Sequence, residues 1–149
     1  MRWRPLGLLT MIAAALLTAP AQAQVTGELW RKLGEDTESI TSKVSYVKGV
    51  IDGLAVGLGG DTYSSEYPLH TDVKTLVDGV DEFYADPANR AIPVVWALRV
   101  LNLKLTGKSE EQINRETRYR RCASAEVMRS QDQTVDTLSR RVMSCAREE

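Results

Sequence analysis

Between Thr37 and Leu58, six apolar residues (Ile40, Val44, Val47, Ile51, Leu54 and Leu58) recur at spacings of 4, 3, 4, 3 and 4. Only a helix gathers that spacing on one side, because 3.6 residues per turn stack the six into a narrow stripe. A stripe of this kind demands a second apolar element to cover it. The same stretch carries Gly49, Gly53 and Gly57, four residues apart and opposite the stripe at 100° per residue. Each glycine costs roughly 1 kcal/mol against alanine in a helix interior. Small residues on a helix ridge let another backbone approach closely. The expectation is therefore a central helix, packed on both sides, with the glycine face filled by a neighbouring helix. The alternatives are that the glycines merely loosen an exposed helix, or that this face borders a ligand groove shared with the helix that begins at Val94.

The remaining segments read as helices joined by turns. Residues 25–36 are mostly polar, with Leu29, Trp30 and Leu33 as a small apolar group, and suggest a short helical turn or an arm. Residues 59–70 form a loop that carries His70, the only histidine. A second helix starts at Thr71 as N-cap, with Val73, Leu76, Val77, Val80, Phe83 and Tyr84 at helical spacing. Asp86-Pro87 ends it, since a residue before proline is pushed out of the helical region. Pro93 then suits the first position of a third helix, Val94 to Thr106, the most apolar element, which Gly107 closes. Ser109 and Gln112 make a capping box for a fourth, arginine-rich helix. From there to Glu149 there is no glycine or proline. The midpoint of Cys122 and Cys145 falls between Gln133 and Thr134, inside the SQDQT stretch, so a helical hairpin turning at Asp132–Thr134 would bring the thiols together. One continuous helix would hold them about 35 Å apart, far beyond disulfide reach. The hairpin with its disulfide is the favoured reading; free thiols or an intermolecular bridge are the alternatives. The fold class that results is all-α, a compact bundle of four to five helices with a C-terminal helical hairpin.

The first residues bound the compartment. Arg2 and Arg4 precede an apolar run from Leu8 to Leu17, and Ala21-Gln22-Ala23 is a small-x-small cleavage site. This is the pattern of a secretory signal peptide, residues 1–23. A single helical domain, residues 24–149, is expected in the periplasm or outside the cell, with no membrane attachment after cleavage. Export to an oxidising compartment agrees with a disulfide between Cys122 and Cys145. The mature chain has a net charge of −3, which argues against nucleic acid as a partner. Residues 61–86 carry a net −6 and residues 87–149 a net +4, so the two regions can face one another. The basic run Arg118 to Cys122 reads as a solvated helix face.

Chemistry-bearing patterns are sparse. His70 lies beside Ser64, Ser65 and Tyr67 without the spacing of a triad. Asp78, Asp81 and Glu82 lie at i, i+3 and i+4, but no EF-hand or zinc spacing accompanies them. No cofactor, metal or catalytic group is expected. The connector from Tyr84 to Pro93 is the best local candidate for binding: Tyr84, Asp86, Asn89 and Arg90 cluster beside two prolines. Either they hold the turn together, or they present a rigid loop to a protein partner.

Three short motifs carry a resemblance. They are Tyr46-x-x-Gly49-x-x-Asp52-Gly53, Phe83-Tyr84-x-Asp86-Pro87 and Ile92-Pro93-x-x-x-Ala97-Leu98. In these the chain resembles the Tai-type immunity proteins of type VI secretion, from roughly Tyr46 to Leu105; a related exported family is the alternative. It departs from that group in its cysteines, which both lie in the arginine-rich tail. The resemblance implies a periplasmic, non-enzymatic protein that binds and neutralises a toxin. A small-ligand carrier using the groove beside the glycine face is the second functional expectation.

Overall fold

The structure, a computed structural model, describes residues 25–34, 36–58, 67, 71–129 and 135–146. The expected signal peptide, the loop around His70 and the hairpin turn at Asp132–Thr134 lie outside the described residues. Among the described residues there are six α-helices: α1 (Gly27–Lys32), α2 (Thr37–Leu58), α3 (Val73–Ala85), α4 (Val94–Leu105), α5 (Glu110–Arg129) and α6 (Val135–Cys145). A 3-10 turn, Pro87–Asn89, joins α3 to α4. The fold is all-α, with one helix more than the four to five expected because the short turn foreseen within residues 25–36 forms α1.

Local chemistry sets the ends of these helices. The Asp36 carboxylate accepts from the Ser39 backbone N–H at 3.0 Å and from its hydroxyl at 2.7 Å, capping α2. Those hydrogen bonds favour the charged form and hold the Asp36 carboxyl below its ordinary range. The N-cap of α3 is Asp72, which accepts from Thr75 N–H at 3.1 Å; the expectation of Thr71 was one residue early. Asp86 ends α3 and also caps the 3-10 turn through Ala88 N–H at 2.9 Å. Gly107 takes a φ of 70° after α4, a left-handed conformation that side chains resist. The capping box forms as expected: Gln112 N–H donates to Ser109 Oγ and Ser109 N–H to Gln112 Oε1, each at 3.3 Å.

Each long helix packs chiefly on the next in the chain: α2 on α3, α3 on α4, α4 on α5 and α5 on α6. The core gathers between them around Trp30, Val47, Leu76, Val80, Tyr84, Val94, Ala97 and Leu98, all fully buried. Helix α4 contributes six buried residues, more than any other described helix, as its composition implied. The C-terminal hairpin forms too. Cys122 and Cys145 are joined, with their Cα atoms 5.7 Å apart.

The central position expected for α2 is not what the structure shows. This helix lies at one end of the array, so among the described residues only one side of it is covered. No described atom comes within 4 Å of a Cβ built at Gly49, Gly53 or Gly57, and all three residues are exposed. Beside them Val56 is 88% exposed. The buried side is also rotated from the apolar stripe toward Lys43, Tyr46 and Val50, leaving Ile40 exposed. The close approaches are made by other glycines. A Cβ on Gly79 would stand 2.7 Å from Leu101, where α3 meets α4. One on Gly27 would stand 2.4 Å from the Tyr84 ring.

Candidate functional site

The connector between α3 and α4 is bound from three directions. Its inner side belongs to the core. Tyr84, fully buried, donates its hydroxyl to the Ile92 carbonyl at 2.7 Å, which ties the end of α3 to the start of α4. Burial raises the Tyr84 phenol well above its ordinary value and keeps it protonated as a donor. Asn89 is 4% exposed and donates Nδ2 to the Phe83 carbonyl at 2.7 Å.

On the N-terminal side, the arm before α1 is stitched along the connector. Thr26 and Pro93 form an antiparallel bridge, and Val94 N–H donates to Val25 O at 2.9 Å. Gly27 N–H donates to Ile92 O at 3.3 Å, and Glu28 N–H to Arg90 O at 3.1 Å. Two of the N–H groups that α1 leaves without an intrahelical acceptor are thereby satisfied by the connector. Gly27 permits this approach, because any side chain there would meet the Tyr84 ring and the Arg90 Cα.

On the third side stands α5. Arg121 donates Nε to Asn89 Oδ1 at 2.8 Å and a terminal nitrogen to Asp86 Oδ2. One guanidinium therefore clamps both ends of the Asp86–Asn89 turn, using the planar fork that lysine lacks. Its neighbour Arg120 lies over the Trp96 ring of α4 at 3.7 Å and pairs with Glu116 at 2.7 Å. Arg99 of α4 reaches the same Glu116 at 3.3 Å. The run expected to be a solvated face is, at Arg120 and Arg121, a clamp turned inward on α4 and the connector.

These bonds settle where the candidate residues lie. Tyr84 and Asn89 are interior residues that build the turn and are not presented to a partner. Arg90 is half-buried, its carbonyl engaged by α1. Asp86 is exposed and paired with Arg121. The outward surface of the connector is Ala85, Asp86, Pro87, Ala88 and Ala91. Next to it a cleft of about 260 Å³ runs between α3, α4 and α5. Gly79, Phe83, Leu101 and Ile113 line it with apolar surface, and the Glu82–Lys104 and Asp86–Arg121 pairs stand on its rim.

The glycine face, by contrast, lines neither that cleft nor the one beside Leu103 and Tyr119, and α2 packs chiefly on α3 where the expected groove required α4. The acids considered for a metal are each matched to a cation: Asp78 to Lys74, Glu82 to Lys104 and Asp81 to Lys43. Among the described residues no group of three or more His, Cys, Asp or Glu is placed to hold an ion. Two of the expected meetings of the acidic middle with the basic tail are present, at Glu82–Lys104 and Asp86–Arg121.

One buried polar cluster had no distinct signal in the sequence. Lys43, 3% exposed, donates to Asp81 Oδ1 at 2.8 Å, and the Trp30 indole N–H donates to the same oxygen at 2.7 Å. The ammonium also lies 5.3 Å from the Trp30 ring centroid. A lysine at the edge of an apolar stripe reads as solvent-facing, and nothing in the spacing links position 43 to position 81. No described helix is long and apolar enough to cross a membrane. No family model, curated protein or solved structure matches the chain.

Proposed function

We propose that this is an exported, non-enzymatic binding protein that acts by protein–protein contact, with toxin neutralisation as the role. The observation that supports this reading is the preorganised connector. Hydrogen bonds from α1, α5 and the core fix the backbone of residues 86–92, so little conformational entropy remains to be lost on docking. The exposed patch from Ala85 to Ala88, with Ala91 and the adjoining cleft, offers a rigid convex turn beside an apolar recess rimmed by both signs of charge. Such a surface binds by shape and charge complementarity and requires no reaction. The joined cysteines agree with an oxidising compartment.

The test follows from which connector residues face outward. Ala88→Arg and Ala91→Glu alter the exposed surface and leave the hydrogen bonds of the turn in place. Both variants are expected to lose capture of a stoichiometric protein from periplasmic extract at unchanged melting temperature. Wild-type capture by both would remove the connector from the interface. Tyr84→Ala cannot serve as this test, since emptying its buried site costs about 3–5 kcal/mol and unfolds the turn with it. Mature protein recovered from the periplasm is expected to begin at Gln24; retention of residues 1–23 would overturn the export reading.

A further inference from the structure

We infer that the Cys122–Cys145 bond is a thiol-exchange site whose reduction releases α6 from an otherwise intact protein. The last helix is an appendage. The main core cluster is built by α1 to α4 with Tyr67 and contains no residue of α6. Among the α6 residues whose side chains are described, Cys145 alone is buried, at 4% exposure. The helix packs chiefly on α5, and α5 in turn is anchored to the rest through Arg120 on Trp96, Glu116 beside Arg99 and Arg121 on the connector. None of these anchors involves α6.

Without its covalent tie, α6 is left to its packing on α5. At 11 residues it is below the length at which an isolated helix persists in water. Leu138 and Val142 are only half-buried against α5. One ion pair to α5, Arg141–Glu126, is long at 3.7 Å. The buried Glu126 Oε2, its acceptor in that pair, makes no hydrogen bond.

The step needs a dithiol reductant and balances with it. One thiolate of the reductant attacks the Sγ of Cys122, the less buried of the two cysteines, and the Cys122–Cys145 bond breaks. Cys145 leaves as a thiolate and takes a proton. The second reductant thiol displaces Cys122, which is protonated in turn, and the reductant departs as its own disulfide. Two electrons and two protons pass to the chain. The freed segment then exposes an apolar stripe, Leu138 and Val142 with Cys145, which the oxidised protein covers.

Hydrogen exchange on the full mature chain, with and without dithiothreitol, tests the inference. Amides of α6 are expected to exchange about tenfold faster or more after reduction, while those of α3 and α4 change less than about twofold. The double variant Cys122→Ser/Cys145→Ser should reproduce that pattern without reductant. Unchanged protection of α6, in the reduced protein or in the variant, would show that the bond is dispensable and overturn the inference. Loss of protection in α3 and α4 together with α6 would show that the bond holds the whole fold, and would overturn it equally.

Discussion

Lys43 and Asp81 form the one described ion pair with a nearly fully buried partner, and the two halves are not equivalent. The Lys43 side chain is 4% exposed and that of Asp81 43%. Removing the carboxylate leaves an ammonium in the core with the Trp30 ring as its remaining neighbour of note, so Asp81→Ala should cost about 3–5 kcal/mol. Lys43→Met keeps the aliphatic stem, leaves Asp81 with the Trp30 N–H and with water, and should cost about 1 kcal/mol or less. Urea denaturation of the two variants checks the asymmetry; equal losses would refute it. Tyr84 gives a second residue-scale expectation. Its phenol is raised from an ordinary 10.0 by burial. The unfolded chain therefore ionises first, and the stability that depends on the neutral phenol is complete below about pH 10 and lost as pH rises above it. Tyr84→Phe gives up one hydrogen bond, about 0.5–1.5 kcal/mol, without orphaning the Ile92 carbonyl, which also accepts from Gly27. The gap between this variant and wild type should narrow as pH climbs past 10.0, read from denaturation curves at each pH.

Among the helices, glycine shows how one residue type means opposite things in two elements. In α2, Gly53 faces outward, and a Cβ there touches no described atom. Gly53→Ala should therefore stabilise the protein by about 0.5–1 kcal/mol through helix propensity. In α3, Gly79 lies against Leu101, and a Cβ would intrude to 2.7 Å. Gly79→Ala should destabilise by about 1–3 kcal/mol, less whatever Leu101 relieves by moving. Thermal denaturation of both variants decides the signs. The glycine stop at Gly107, the proline stop before Pro87, the capping box at Ser109 and the favoured hairpin pairing of Cys122 with Cys145 were legible in the sequence. Each depends on residues close along the chain or related by a simple fold-back. The Arg121 clamp was not legible, because 32 residues separate it from Asn89 and no local pattern couples them.

At the scale of the whole molecule, the serial packing of helices explains both the right and the wrong expectations. An array has two ends, and its end helices keep an uncovered side. Helix α2 is one end, so its glycine face is open, and α6 is the other, so a disulfide holds it in place. The connector lies between them, gripped by α1, α5 and the core, and that grip turned two of the four residues proposed for binding into framework. By itself the sequence determined the all-α class and most helix ends, since periodicity, capping and proline act within a turn or two of the backbone, and it favoured the cysteine pairing that a fold-back allows. Only the tertiary structure decided which helix is central, which glycines meet a neighbour and which charges are buried. Those are properties of the order in which faces meet, and a residue's own helix carries no record of what lies across from it.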